Sequence, residues 1–191
     1  MLDVAILVLL IAAGVALRLS FRDLPNFSPV AALALFAGCY FRSAAFALLV
    51  PLGVLTASDY VLGGYEGTVM IAVYGALAAP VAMRRIVRQS FEAARGWRRP
   101  LVAAGGILGC SLGASVAFFA CSNLAVWLST GMYAHSLGGI SECYLQALPF
   151  FRYTAAGDLV FATALFGGHA ALRTLGAWLA TRAAAVRLAD A

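Results

Sequence analysis

The sequence predicts an all-α integral membrane protein built as a six-transmembrane-helix bundle. Three observations carry that prediction. Hydrophobic residues fill 63% of the 191 positions and charged residues only 11%, whereas a soluble domain carries about 25% charged residues. The mean hydropathy is +0.93. Long apolar runs recur along the whole chain, in place of the short alternating segments of an outer-membrane barrel. So few charges cannot clothe a water-soluble globule, which excludes an ordinary cytosolic enzyme. Disorder is excluded as well, because disordered chains are polar and highly charged.

The elements follow in order. The first helix is expected over 2–19: its first charge is Asp3 and no basic segment precedes the apolar run, so it reads as a permanent helix rather than a cleaved signal. The second is expected over 29–41, because Ser28 suits an N-cap and Pro29 the first helical position. The third covers 44–62 and contains Pro51. One continuous helix over 28–62 would measure about 52 Å, well beyond the ~30 Å hydrocarbon core. It would also place Arg42 near mid-membrane, at a cost of at least ~2.5 kcal/mol. A break at Arg42-Ser43 is therefore favoured, with one helix plus a re-entrant piece as the alternative. The fourth helix covers 68–83, the fifth 101–128 (long enough to tilt or protrude) and the sixth 154–179. The connections leave no room for a soluble domain, so residues 1–191 form a single transmembrane domain.

The formal net charge is +5 and every one of the 13 basic residues is Arg. In a membrane protein this is a topology signal, not a sign of nucleic-acid binding. Arg84, Arg85, Arg88, Arg95, Arg98 and Arg99 stand against Glu92 alone after the fourth helix, and Arg182 and Arg187 lie near the C-terminal end. Six helices with both termini cytoplasmic put these groups and Arg42 inside, as expected for a bacterial inner membrane. Segments 22–28, 58–67 and 130–152 then face outside, with Arg18, Arg22 and Arg152 near them. They hold half of the acids, half of the amides and four of the seven tyrosines, which reads as an external binding face.

Within that face, Asn26 precedes the second helix and either meets a ligand or serves the turn. Asp59, with Tyr60 beside it, is an acid at a helix end and needs solvent, a partner or a ligand; a salt bridge to Arg152 is the structural alternative. Asn123 is an amide in an apolar run and needs a partner. Trp127 lies one turn later on the same face, as a pocket wall or an interfacial aromatic. Phe151, Arg152 and Asp158 gather at the expected start of the sixth helix, where an N-terminus and a guanidinium suit an anionic group. Asp158 also has a purely dipole-stabilising reading. In the first helix, Ala12 and Ala16 flank Gly14, and small residues at this spacing let helices approach closely. The four cysteines form neither CxxC nor metal-ligand spacing. Gly109-Cys110-Ser111-Leu112-Gly113 fits G-x-S-x-G, but it lies in an Ala/Gly-rich apolar run rather than a strand–turn–helix, and His169 has no second His near it for a metal site.

The runs PNFSPVAALALFAG (25–38), SNLAVWL (122–128) and CYLQALPFFRYTAAGDLVFATALFGG (143–168), with Ser58-Asp59 between them, resemble an uncharacterised family of membrane transport proteins. That family is similar to the substrate-binding S components of energy-coupling factor (ECF) transporters. The resemblance implies a six-helix bundle that captures a vitamin-like solute from outside, with its ligand among the outer helix ends. It also implies that small residues of the first helix, here Ala12 and Ala16, dock a transmembrane coupling subunit carrying two cytoplasmic ATPases.

The function expected is therefore uptake of a small metabolite or vitamin-like solute. No covalent chemistry, metal or cofactor is expected. The binding residues would be Asn26, Asp59, Tyr60, Asn123, Trp127, Phe151, Arg152 and Asp158, combining apolar walls with a few placed polar groups. A non-transporting membrane scaffold is the alternative, and an intramembrane hydrolase using Ser111 comes third.

Overall fold

The computed structural model describes residues 1–93 and 98–189, and among them there is no strand. Arg95, counted above among the inside arginines, lies outside the described residues. The helices are α1 (Leu2–Ser20), α2 (Val30–Tyr40), α3 (Ala44–Leu62), α4 (Gly67–Ala78), a 3-10 segment (Ala79–Met83), α5 (Arg84–Ala93), α6 (Arg99–Ser129) and α7 (Leu137–Ala189). Five stretches are long and apolar enough to cross a membrane, counting α4 through α5 as one. This is a multi-pass membrane protein.

The expected break at Arg42-Ser43 is present. Ser43 caps α3 by accepting from the backbone N–H of Phe46 at 3.3 Å. The expectation of six full spans needs correcting, because α2 has only 11 residues and rises about 16 Å. Residues 30–38 are all buried, and α2 touches every other helix. It is the axis of the bundle rather than a sixth crossing. Around it α1 packs on α3, α3 on α4, α4 on α6 and α6 on α7. Between α1 and α7 runs the segment 21–29, exposed over 22–26 and anchored by Phe21, Phe27 and the buried Pro29. Phe21, Phe27 and Phe161 cluster there, with ring centroids 5.2–6.1 Å apart.

Close approach depends on glycine at two points. A Cβ on Gly14 of α1 would lie 2.6 Å from both Leu33 and Val54, so Gly14 is where α1 seats. Ala12 and Ala16 point outward from that contact. A Cβ on Gly157 would lie 3.2 Å from the Ser28 nitrogen, so Gly157 lets the 21–29 segment rest on α7.

Two further boundaries depart from expectation. The chain after 83 is helical, because Pro80 ends α4 without ending helicity and Val87, fully buried, anchors α5. Arg84 donates to the carbonyl of Arg42 at 3.2 Å, and Arg88 to those of Cys39 and Phe41 at 3.1 and 3.4 Å. These cations satisfy the orphan carbonyls at the end of α2. The last helix begins at Leu137, not 154. Ser136 caps it, its hydroxyl accepting from the N–H of Gly139 at 3.2 Å. Pro149 forfeits one N–H bond inside it. The flanking turns are held to α6 by Tyr144, whose hydroxyl donates to the Ala120 carbonyl at 2.7 Å, and by Phe151 against Phe119 at 5.1 Å.

Candidate solute cavity

At the end of the bundle opposite Arg84 and Arg88, above the start of α2, lies a cavity of about 530 Å³. Small-molecule sites typically measure about 300–1,000 Å³. Its walls come from the end of α1, the segment 21–28, α4, α6 and α7. The apolar part includes Phe21, Phe27, Val69, Val73, Phe118, Phe119 and Phe150. The polar part includes Arg18, Arg22, Asn26, Ser28, Tyr65, Ser122, Asn123, Thr154 and Asp158. A second cavity of about 380 Å³ adjoins it, sharing Asn123, Val126, Ala147 and Phe150 and adding Tyr133, Glu142 and Gln146.

Arg18 is fixed from behind. It pairs with Asp59 at 2.5 Å and donates to the Ser58 hydroxyl. Tyr74 donates to the other Asp59 oxygen at 2.9 Å. Ser58 itself donates to the Val54 carbonyl at 2.6 Å. The pair is nearly out of solvent, with Arg18 17% and Asp59 5% exposed. The charges therefore cancel locally, and the guanidinium reaches the wall already neutralised.

Asp158 has no such partner. It is 3% exposed and accepts one hydrogen bond, from the Ser115 hydroxyl at 2.5 Å. Ser115 lies near the midpoint of α6, so the carboxylate sits well inside a membrane-spanning helix pair. An ionised carboxylate there costs at least ~2.5 kcal/mol. With one hydroxyl partner and about four acceptor sites on a carboxylate, Asp158 has capacity for a further partner in the cavity.

The mouth is ordered by its own contacts. Glu66 caps α4, accepting from the Val69 N–H at 2.8 Å and from the Ser129 hydroxyl at 2.9 Å. The N–H groups of Thr68 and Val69 hold its carboxyl down at about 2. Burial and the nearby Asp59 carboxylate push the Tyr65 phenol up to about 12, so it stays a donor on the wall. Asn26 has φ +60°, a left-handed conformation that asparagine tolerates better than most residues. Its place on the wall and its part in the turn coexist.

Of the eight binding residues read from the sequence, Asn26, Asn123 and Asp158 line the cavity. Asn123 donates its amide to the Phe119 carbonyl at 2.7 Å, which leaves its oxygen for the wall. Asp59 lies behind Arg18, and its partner is Arg18 rather than Arg152. Tyr60 is 92% exposed and faces away. Trp127 donates to the Ala134 carbonyl at 2.9 Å and packs on His135 at 5.3 Å, bracing the 130–136 connection. Phe151 packs on Phe119 while its neighbour Phe150 takes the wall. Arg152 is exposed and rests on Tyr153, donating to its hydroxyl at 3.0 Å. Because α7 starts at Leu137, no helix N-terminus stands beside Arg152 to receive an anion. Asp158 is bonded to Ser115 rather than to Arg152.

Arg18, Tyr65, Ser115 and Phe150 were not singled out from the sequence. An arginine near the end of an otherwise apolar helix was the available signal for Arg18. Cys143, within the segment 130–152 expected to face outside, is buried in α7 and its thiol donates to the Asn123 carbonyl at 3.4 Å. Ser111 lies inside α6 with a buried hydroxyl that has no hydrogen-bond partner, while His169 packs on Phe36 and Tyr40 at 5.7 and 5.9 Å. Among the described residues no three His, Cys, Asp or Glu side chains cluster to hold a metal.

Residues 1–180 match the model of a family described as a family of unknown function, DUF6580. No curated protein and no solved structure matches the chain.

Proposed function

The chain belongs to the DUF6580 family, whose function is unknown, and from its geometry we propose that it is a membrane-embedded solute-binding protein serving uptake of a small metabolite. The observation that carries this reading is the cavity of about 530 Å³ at one end of the bundle, walled by phenylalanines with a few fixed polar groups. Arg42, Arg84 and Arg88 gather at the opposite end. By the positive-inside rule that end is cytoplasmic, so the cavity opens outward, with both termini inside. The solute enters past Tyr65 and the 21–28 segment, displaces water from the aromatic wall and meets Arg18, Asn123 and Asp158. No covalent step is proposed.

The resemblance to ECF S components fits this arrangement. On that reading a coupling subunit with cytoplasmic ATPases docks on α1, where Ala12 and Ala16 face outward, and drives release by tilting the bundle.

Two measurements test the proposal. Purified protein in nanodiscs is heated with a panel of water-soluble vitamins, amino acids and nucleosides; a binder raises the melting temperature as RT ln(1 + [L]/Kd). A cysteine placed at Gly64 is then labelled from either side of the membrane in cells. Binding with external labelling supports the reading. A flat panel together with labelling only from the cytoplasm overturns it.

A further inference from the structure

The charge of the solute is legible in how the cavity's ionic groups are paired. Four charged side chains line the two adjoining cavities: Arg18, Arg22 and Asp158 in the inner one, Glu142 in the outer one. Arg18 has a buried acid of its own, while Arg22 stands at the solvated rim, 67% exposed beside a still more exposed acid. Arg18 holds Asp59 at 2.5 Å, and the Arg22 Nε lies 4.0 Å from Asp23. Neither acid has a cation: among the described residues, Asp158 and Glu142 form no ion pair. The one contact of the Asp158 carboxylate is the Ser115 hydroxyl at 2.5 Å. The remaining polar groups on the inner wall, from Asn26, Ser28, Tyr65, Ser122, Asn123 and Thr154, are neutral.

We propose, building on the reading of this cavity as a solute site, that the solute carries a protonated nitrogen which seats against Asp158, with Glu142 drawing it inward. The surrounding Phe27, Phe118, Phe119 and Phe150 suit that assignment. They share the cavity wall with the unpaired carboxylate, and an aromatic face attracts a cation such as an alkylammonium or protonated heterocycle. Carboxylates and phosphates are disfavoured, since of the two arginines on the wall the buried one, Arg18, is paired with Asp59 and the other, Arg22, is screened by solvent.

Three probes of one shape and different charge test this: 2-phenylethylamine, 2-phenylethanol and phenylacetate, titrated against the full-length protein in phosphatidylcholine nanodiscs with melting temperature as readout. The amine is expected to bind best, phenylacetate worst. Asp158→Asn should weaken the amine at least about tenfold, about 1.4 kcal/mol, and weaken the alcohol by clearly less. If the variant does not fold, the wild-type ranking of amine over acid decides alone. Equal binding of amine and alcohol would mean that Asp158 carries its own proton, and overturns the inference. So does tighter binding of phenylacetate; in both cases the solute-binding reading stands. If no probe shifts the melting temperature, the inference falls, and the metabolite panel then judges the broader reading separately.

Discussion

Removing the Arg18 guanidinium while keeping its length, as Arg18→Met, isolates the ion pair behind the cavity wall. Asp59 is 5% exposed, and after the substitution it keeps only the Tyr74 hydroxyl at 2.9 Å. An uncompensated buried charge costs about 3–5 kcal/mol. The surviving hydrogen bond places the loss near 3 kcal/mol, at the lower end. Asp59→Asn costs less, about 1–2 kcal/mol, since Arg18 is 17% exposed, lines the cavity and can hydrate there. Replacing both, as Arg18→Met with Asp59→Asn, removes the orphan and should cost about 1 kcal/mol or less. The double variant therefore falls short of the summed singles by about 3 kcal/mol, the upper range for directly contacting groups. Equilibrium unfolding in mixed micelles, followed by circular dichroism, measures all three. The reasoning fails if Arg18→Met stays within about 0.5 kcal/mol of the parent, or if the double variant loses as much as the singles combined.

Gly14→Val should cost about 1–3 kcal/mol by overpacking, because its Cβ already meets Leu33 and Val54 at 2.6 Å; Ala12→Val, on the outward face, should leave the melting temperature unchanged. Asn26→Gly preserves the left-handed turn and should leave stability unchanged, whereas Asn26→Val should lose about 1–2 kcal/mol; loss of metabolite binding in Asn26→Gly alone would show that the amide touches the solute. The Glu66 cap has a defined pH window. Its folded value of about 2 lies below the reference 4.5, so its contribution is complete above 4.5 and disappears as pH falls through 2. The melting-temperature difference between the parent and Glu66→Gln should be constant at neutral pH and vanish toward pH 2; a difference that grows on acidification would contradict the cap.

The spans were legible because hydropathy is a property of each segment by itself. The break at Arg42-Ser43 was legible for the same reason: a charge beside a capping serine marks a boundary without reference to any other helix. The end of the bundle that carries the cavity was anticipated from where Asn26, Asn123 and Asp158 fall along the chain. What failed was register and partnership. The last helix was expected to start only at 154, but packing on α6 holds α7 together from Leu137 through Pro149. With the start misplaced at 154, nothing indicated that Phe150 rather than Phe151 would face inward, since adjacent helical residues point about 100° apart. The partner of Asp59 is 41 positions away in Arg18, and only the packing of α1 on α3 selects it over Arg152. The amphipathic α5 was read as a connection because its arginines looked like a topology signal alone.

The enclosure of α2 bears on how the chain is assembled. Eleven residues reach about halfway across the hydrocarbon layer, so lipid offers this stretch no resting place. Its seat is complete only when α6 and α7, which pack against it, have been made. A ribosome-bound chain stopped before α6 would hold its axial stretch unshielded, and membrane proteases and chaperones would see that intermediate first.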